Sequence, residues 1–600
     1  MPQLSQIYPT ESLILQLFTS GLISLLLLLP LYYLLGYGTL SLANSVWHLR
    51  FKQSQRFQFE DILVAAIATL SLIIIACRVV GVFPQILLIF KLSMAIAVFC
   101  LLLGFGYSRF ARIKQQFILP SWQHSFIWFF LFSSYLIRAA IKARSLGESL
   151  YIPSGFNTDI FLYIRRSIVF FGSATRTQSE NNQPLVDILY NSPKLLSTLI
   201  YASFTYVIGD IAIAATIVTS LVLAGIVLKY LVLIKTEAKP EAKFGYSITT
   251  IALTVLIVCQ PVWCWLQDQF YWSNLLCIYL LIYALADLFT GQKISSSYFV
   301  KLAIAMIALA GFYPSQLPFF MLAAMIGIIF NSALDNRSRQ RYLLATVIIT
   351  IAVACLFITQ YLDTTEIATH FDISDAVHGQ KLNYIPFWSF LDFMPRTGGT
   401  PKDFGAALLI AASLTVGFLV IKYCIKVVPD YANWFKLLIG LYALYSISYL
   451  ILPGEYRQSK FFFTYIVALF VFCIIKVLLQ VSWRRKQTVQ ILLSILAIYV
   501  VAKSSLKSYK PHVSSNISSA IATVNSLHKP TIIYMDEESI IHGYYYFAYQ
   551  IRNLDFQLIS GCPQALELNS AARENKTLVL ASSCPKTVLQ PEIIYTDINN

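Results

Sequence analysis

Charged residues are scarce in this sequence. Asp, Glu, Lys and Arg make up 12% of its 600 residues, about half of their share in an average soluble domain. Hydrophobic residues make up 57% of the chain, and they are collected in long runs. This combination argues against a soluble globular protein.

Several other features are absent. The apolar runs are not broken into the short alternating segments of a transmembrane β-barrel; at about twenty residues each, they have the length of membrane-spanning helices. The first run, 12–36, follows no basic segment and precedes no cleavage site, so it is not a cleavable signal peptide in form. The sequence has no nucleic-acid-binding motif. The net charge of +15 is therefore attributed to loops that set topology and contact anionic lipid, and no nucleic-acid partner is expected.

The apolar runs predict an α-helical polytopic membrane protein with about 14 transmembrane helices. The expected spans are 12–36, 61–79, 84–106, 126–141, 211–234, 247–263, 273–289, 300–313, 317–331, 342–361, 404–424, 434–452, 461–480 and 488–503.

Lysine and arginine positions predict the orientation of these spans. Every odd-numbered loop is basic, whereas the short even-numbered loops at 263–272 and 314–316 contain no Lys or Arg. Because cytoplasmic loops carry the excess of basic residues, we expect a multi-pass protein of the plasma (inner) membrane. Its N-terminus and its C-terminal domain are then on the non-cytoplasmic side, which we call the outer side.

Three outer segments are too long to be simple connectors: 142–210, 362–403 and 504–600. The first is expected to contain helices lying along the interface, at 158–171 and 193–206. The third has strand patterns at 531–535, 556–559 and 577–581, separated by helical ones, which predicts a small α/β soluble domain. No Gly-rich loop follows its strands, so no nucleotide is assigned to it.

The expected organisation is therefore a three-span accessory region at 1–125, a transmembrane core at 126–503 and an exported domain at 504–600. Cys562 and Cys584 of that domain could form a disulfide once exported. Inside the spans, Lys91 and Asp287 are the main charges that the sequence shows, and an intramembrane charge is a candidate functional residue.

Polar residues with possible chemistry follow three spans on the outer side. Asp159, Tyr163 and Arg166 recur at i, i+4 and i+7, on one face of a predicted helix. Asp268 is the one acid of the loop 263–272, among five aromatic rings. Arg457 and Lys460 come directly before the thirteenth span.

An acid in the long first outer loop, a second acid two spans later and an Arg at the outer end of a late helix resemble the GT-C glycosyltransferases. The resemblance covers about 126–600 as architecture. It implies transfer of a sugar from a polyprenyl-phosphate donor to a glycan, lipid or protein acceptor. Asp159 and Asp268 would be catalytic, and Arg457, Arg166, Tyr163 and Lys460 would contact the substrate or the lipid phosphate. Many relatives have a His shortly after the first acid, where this chain has Tyr163 and Ile164.

The implied chemistry is physically consistent with these residue types. A carboxylate accepts the proton of the acceptor hydroxyl. Positive charge or a metal stabilises the departing phosphate, and the guanidinium fork of Arg matches phosphate oxygens. A polysaccharide polymerase or ligase and a lipid-linked-glycan flippase or other transporter are the alternatives.

Each candidate also has a purely structural interpretation. Asp159 could be a first-turn acid favoured by the helix dipole, Arg457 could pair with Glu455, and the tryptophans near Asp268 could form an interfacial aromatic belt. No cofactor is assigned. A divalent metal stays open because one outer segment contains a group of acids and histidines: Asp363, Glu366, His370, Asp372, Asp375 and His378.

Overall fold

A computed structural model gives the architecture of the chain. It describes residues 10–51, 58–82, 85–110, 121–145, 153–154, 167, 170, 195–209, 211–236, 261–268, 272–289, 297–331, 334–358, 384–388, 404–451, 461–484, 495, 499, 510–511, 523–524, 526–527, 529–535, 556–560, 577–581 and 593–596.

The described part is built mainly of helices. They are α1 Thr10–Phe51, α2 Phe59–Val80, α3 Ile86–Phe110, α4 Trp122–Ser145, α5 Leu195–Ile208, α6 Ile211–Thr236, α7 Pro261–Asp268, α8 Trp272–Phe289, α9 Ser297–Phe312, α10 Leu317–Phe330, α11 Asn336–Leu356, α12 Phe404–Val427, α13 Ala432–Ile451 and α14 Val467–Arg484. Short 3-10 turns lie at Pro314–Gln316 and Pro429–Tyr431, and a π-helical turn lies at Phe462–Ile466.

Eight helices of the described part are long and apolar enough to cross a membrane, and five shorter ones are also apolar. The chain is therefore an α-helical, multi-pass membrane protein, as its apolar runs predict. Most of the sixth and fourteenth expected spans, 247–263 and 488–503, lies outside the described residues. The count of fourteen stays a prediction.

Helix α1 is much longer than the expected span 12–36. It continues through Gly36 and Gly38 to Phe51. A Cβ at Gly36 would lie 1.8 Å from the backbone oxygen of Ile62 on α2, and one at Gly38 would lie 2.9 Å from that of Ala97 on α3. The two glycines therefore allow α2 and α3 to approach the α1 backbone, a common packing device in membranes.

The first three helices share the core of the rest of the bundle. Helix α2 packs against α9, where a Cβ at Gly311 would lie 2.3 Å from the Ser71 hydroxyl oxygen. A functional division at residue 125 stays a prediction, but α2 is packed inside the bundle.

Helix α5 corrects one expectation. The pattern at 193–206 predicts a helix lying along the interface, whereas residues 196–205 are all buried in the bundle. Its hydroxyl residues suit burial because they bond to their own helix: Ser203 donates to the Leu199 carbonyl at 2.8 Å and Thr205 to the Tyr201 carbonyl at 3.0 Å. Of the other expected interfacial helix, 158–171, only two residues are described, and both are buried: Ser167 and Phe170.

The strands fall into two sheets. Strand β1 (Pro153–Ser154) pairs antiparallel with β2 (Lys510–Pro511), which joins the first long loop to the start of the tail. Strands β3 to β6 form a parallel sheet in the order β4-β3-β5-β6. They are β3 Thr531–Met535, β4 Phe556–Ser560, β5 Thr577–Ala581 and β6 Ile593–Thr596. Few residues between them are described, so the α/β class of the tail stays a prediction.

Candidate functional site

One end of the helix bundle gathers the ends of several helices. The first residue of α8, Trp272, has its ring 4.4 Å from that of Phe312 at the end of α9. The following 3-10 turn is joined to the π-helical turn, because the Tyr465 hydroxyl donates to the Gln316 carbonyl at 3.2 Å. We call this region the Trp272 end.

Asp268 belongs to this end of the bundle. It is the last residue of α7, whose side chains reach into the bundle. Gln267 is 3% exposed; it accepts a hydrogen bond from the Arg138 guanidinium at 2.6 Å and donates to the Ser220 hydroxyl at 3.0 Å and the Tyr135 carbonyl at 3.3 Å. The polar network fixes the turn that carries Asp268, whose own side chain is outside the described part.

The aromatic residues near Asp268 correct a second expectation. Trp263 and Trp272 are fully buried rather than placed in a lipid-facing belt. The Trp263 ring stacks on Tyr230 of α6 at 5.3 Å. Residues 263–268 are also helical, although the sequence predicts a loop there. Helix α7 is short, and its packing against α6 and α8 keeps it inside the bundle.

The chain returns to the Trp272 end directly after Arg457 and Lys460. Phe461 packs its ring 4.9 Å from Phe319 at the start of α10, and the next five residues form the π-helical turn. Such turns often occur at functional sites. Arg457 and Lys460 themselves lie outside the described residues.

Two polar atoms at this end are buried and have no hydrogen-bond partner among the described residues: Gln316 Oε1 and Thr464 Oγ1. A buried polar group without a partner costs about 1–3 kcal/mol, and native structures seldom leave one unsatisfied. Each atom could bond to a bound polar group.

The first-loop candidates Asp159, Tyr163 and Arg166 lie outside the described residues. Strand β1 is nearby in sequence, six residues before Asp159 at its first position, and it is paired with β2. The structure therefore places the start of this loop beside the start of the tail, but it brings together no described pair among the six predicted site residues.

A cluster of hydroxyl groups holds the short segment Tyr384–Trp388 between α12 and α13. The Tyr384 hydroxyl bonds to Tyr442 at 3.0 Å and to Ser446 at 2.8 Å. The Tyr445 hydroxyl accepts the N–H of Ile385 at 3.0 Å. The sequence gives no sign of this cluster, since its partners are about sixty positions apart.

The opposite end of the bundle contains buried charges that the sequence reading missed. Asp61, at 1% exposure, accepts hydrogen bonds at 2.5 Å from the Tyr283 hydroxyl and from the Gln58 N–H, and Lys301 Nζ lies 3.6 Å away. Lys229 forms an ion pair with Glu60. We call this region the Asp61 end. The sequence does contain one indication of this charged region, because Lys229 is a cation inside an apolar span.

Two further lysines lie within the apolar helices. Lys476 is buried, donates to the Tyr431 hydroxyl and has its Nζ 3.9 Å from the centre of the Tyr431 ring. Lys91 is exposed near the start of α3, as snorkelling to the interface requires. The side chain of Asp287 is outside the described part.

No group of three metal-ligating side chains occurs among the described residues. The acids and histidines at 363–378, and Cys562 and Cys584, lie outside them.

The fold defines a multi-pass α-helical membrane protein. Comparison with models of protein families, with curated proteins and with solved structures gives no match.

Proposed function

We propose that the chain is a membrane glycosyltransferase that uses a sugar linked to polyprenyl phosphate. The observation that carries this proposal is the position of two candidate segments, far apart in sequence. The turn with Asp268 and the turn that follows Arg457 and Lys460 lie at the same end of the bundle, the Trp272 end. An acid and a phosphate-binding cation are the two groups that the reaction needs.

Two further observations favour this assignment. Gln267, held by Arg138, fixes the turn of Asp268 and so would limit the positions of its carboxylate. The unpartnered buried atoms of Gln316 and Thr464 suit sugar hydroxyls or phosphate oxygens. Both atoms lie near the turn that follows Arg457.

The proposed orientation places the Trp272 end on the non-cytoplasmic side. The β1–β2 pair agrees with the predicted topology in one respect, because it requires the first long loop and the tail to lie on the same side of the membrane. The basic loops flank the helix ends that meet at the Asp61 end, as expected of a cytoplasmic face.

In the proposed reaction, the acceptor hydroxyl oxygen bonds to the anomeric carbon of the donor sugar. The bond from that carbon to the phosphate oxygen breaks, and polyprenyl phosphate leaves with the bonding electrons. Asp159 takes the hydroxyl proton, and Asp268 holds the acceptor. Arg457 and Lys460, with Tyr163 and Arg166, contact the donor and its phosphate.

The test uses the full chain in proteoliposomes with a panel of synthetic polyprenyl-phosphate-linked hexoses and pentoses, and a membrane extract as acceptor. Release of polyprenyl phosphate is measured by mass spectrometry. Asp159→Asn and Asp268→Asn should each lower turnover at least 100-fold, the usual contribution of a positioned acid or base. Asp335→Asn, an exposed acid before α11, is the matched control.

Wild-type turnover in both site variants would show that the carboxylates have other roles. No turnover of any donor would overturn the transferase proposal itself. Product length on a gel separates transfer of one sugar from polymerisation.

A transporter is the second candidate because the bundle contains more buried charge than the sequence suggests. The described charges at the Asp61 end bond to each other and to Tyr283, which is the arrangement of a structural network. Movement of a labelled lipid-linked sugar across liposomes without acceptor would favour the transporter.

A further inference from the structure

The segment Tyr384–Trp388 comes from the second long outer loop, yet it lies deep among the helices. The Phe387 N–H donates to the Ser413 hydroxyl on α12 at 2.6 Å. The Phe387 ring lies 3.0 Å from where a Cβ at Gly417 would be. Both contacts are with residues in the middle of α12 rather than near either of its ends.

The depth of these contacts follows from helix geometry. The apolar window of α12, Ala407–Val427, has 21 residues and so spans about 30 Å, the thickness of the hydrocarbon core. Ser413 is six residues into this window, about 9 Å, and Gly417 is ten residues in, about 15 Å. The Phe387 ring therefore lies beside the middle of this apolar window.

A non-helical backbone at that depth needs hydrogen-bond partners from the protein. The bundle supplies them as side-chain hydroxyls. Ser413 and Tyr445 accept the N–H groups of Phe387 and Ile385, and the Tyr442 hydroxyl donates to the Ile385 carbonyl at 3.0 Å.

The same tyrosines also contact the π-helical turn. The ring of Phe462, two residues after Lys460, lies 5.0 Å from that of Tyr445 and 6.5 Å from that of Tyr442. Helix α13 therefore touches the segment with its tyrosine hydroxyls and the turn with its tyrosine rings.

We propose that Tyr384–Trp388 is a re-entrant segment, and that its hydroxyl-bonded backbone positions the π-helical turn that follows Arg457 and Lys460, and so orients these two residues toward the donor phosphate. Tyr445 and Ser413 are positioning residues in this arrangement. The re-entrant placement stands on the contacts alone, whereas the positioning role rests on the proposed transferase function.

The first measurement is independent of activity. Ile385→Cys is introduced into a full-length chain whose native cysteines are replaced by serine or alanine, and its reaction with a membrane-impermeant maleimide is followed on each side of the membrane. The buried thiol should not react. Adding Ser413→Ala and Tyr445→Phe should raise its labelling rate at least tenfold, and adding Thr415→Val should not. Thr415 is an exposed hydroxyl residue two positions from Ser413.

The second measurement is the KM for the donor of the transferase assay. Tyr445→Phe and Ser413→Ala should each raise it five- to tenfold with less change in kcat, and Thr415→Val should leave it unchanged. Tenfold corresponds to about 1.4 kcal/mol, close to the net value of one hydrogen bond. Each variant is first checked for a single symmetric peak in size-exclusion chromatography.

The outcomes separate the two proposals. Fast labelling of Ile385→Cys in the otherwise intact chain overturns the re-entrant segment, whatever the activity. Slow labelling with an unchanged KM overturns the positioning role. If the wild type turns over no donor, the transferase function and the positioning role fail together, and the labelling result still decides the re-entrant placement.

Discussion

The ion pair between Asp61 and Lys301 should be a major contribution to the packing of α2 in the bundle. Its atoms are 3.6 Å apart, which at an effective dielectric constant of about 20 corresponds to about 4–5 kcal/mol of Coulomb energy. Lys301→Met would leave the Asp61 carboxylate buried with two neutral donors, from Tyr283 and Gln58. Breaking a buried pair on one side costs about 3–5 kcal/mol, and the two remaining donors favour the lower end of that range.

A double-mutant cycle isolates this energy. Asp61→Asn, Lys301→Met and the double variant are purified in detergent, and unfolding by SDS is followed by tryptophan fluorescence. The double variant should be less destabilised than the sum of the single variants, by about 2–3 kcal/mol, because it leaves no unpaired charge. Lys91→Met, at an exposed lysine of α3, should change the free energy of unfolding by less than about 0.5 kcal/mol.

Purely additive single variants would refute this reasoning, as would a Lys301→Met variant no less stable than Lys91→Met. In either case the pair would be screened by water, and its contribution to the free energy of unfolding would be that of a surface salt bridge, about 0–1 kcal/mol.

Three other predictions concern packing and topology. Gly36→Ala should destabilise by about 2–3 kcal/mol in the SDS assay, since its Cβ meets a backbone oxygen of α2; Gly106→Ala, with open space around its Cβ, should not destabilise. Gln267→Leu should cost about 1–3 kcal/mol because it removes the hydrogen bonds that the buried Gln267 amide makes to Arg138, Ser220 and Tyr135; an unchanged midpoint would contradict the network. Ser154→Cys with Lys510→Cys, opposite each other in the β1–β2 register, should cross-link under mild oxidation on a gel; no cross-link would contradict the pairing.

Hydropathy predicts most of the described helices because a membrane-spanning segment must bury its whole surface in apolar surroundings, a local property of the sequence. The strands at 531–535 and 577–581 coincide with β3 and β5 for a similar reason, since short β-branched runs are local signals. Helix α5 differs from the predicted interfacial helix because hydroxyl residues such as Ser203 and Thr205 bond within their own helix and can be buried.

The polar networks could not be predicted because their partners are distant in sequence. Glu60 pairs with Lys229, 169 positions away, and Arg138 bonds to Gln267, 129 positions away. Asp268 is a candidate because it is an acid in an outer loop. The described hydrogen bonds to the rest of the bundle, however, are made by its neighbour Gln267. Fold-level contacts of this kind decide which polar residues are buried.

The two ends of the bundle differ in the kind of polar contact that they contain, and this difference bears on function. At the Asp61 end, Asp61 pairs with Lys301 and Glu60 pairs with Lys229. At the Trp272 end, buried neutral groups such as Gln316 and Thr464 have no hydrogen-bond partner among the described residues, and Arg457 and Lys460 precede Thr464 closely in the sequence. Satisfied pairs stabilise a fold, whereas unsatisfied polar groups beside cations are suited to a polar, anionic ligand. Under the proposed function, the ion pairs of the Asp61 end are a rigid anchor and the Trp272 end binds the substrate.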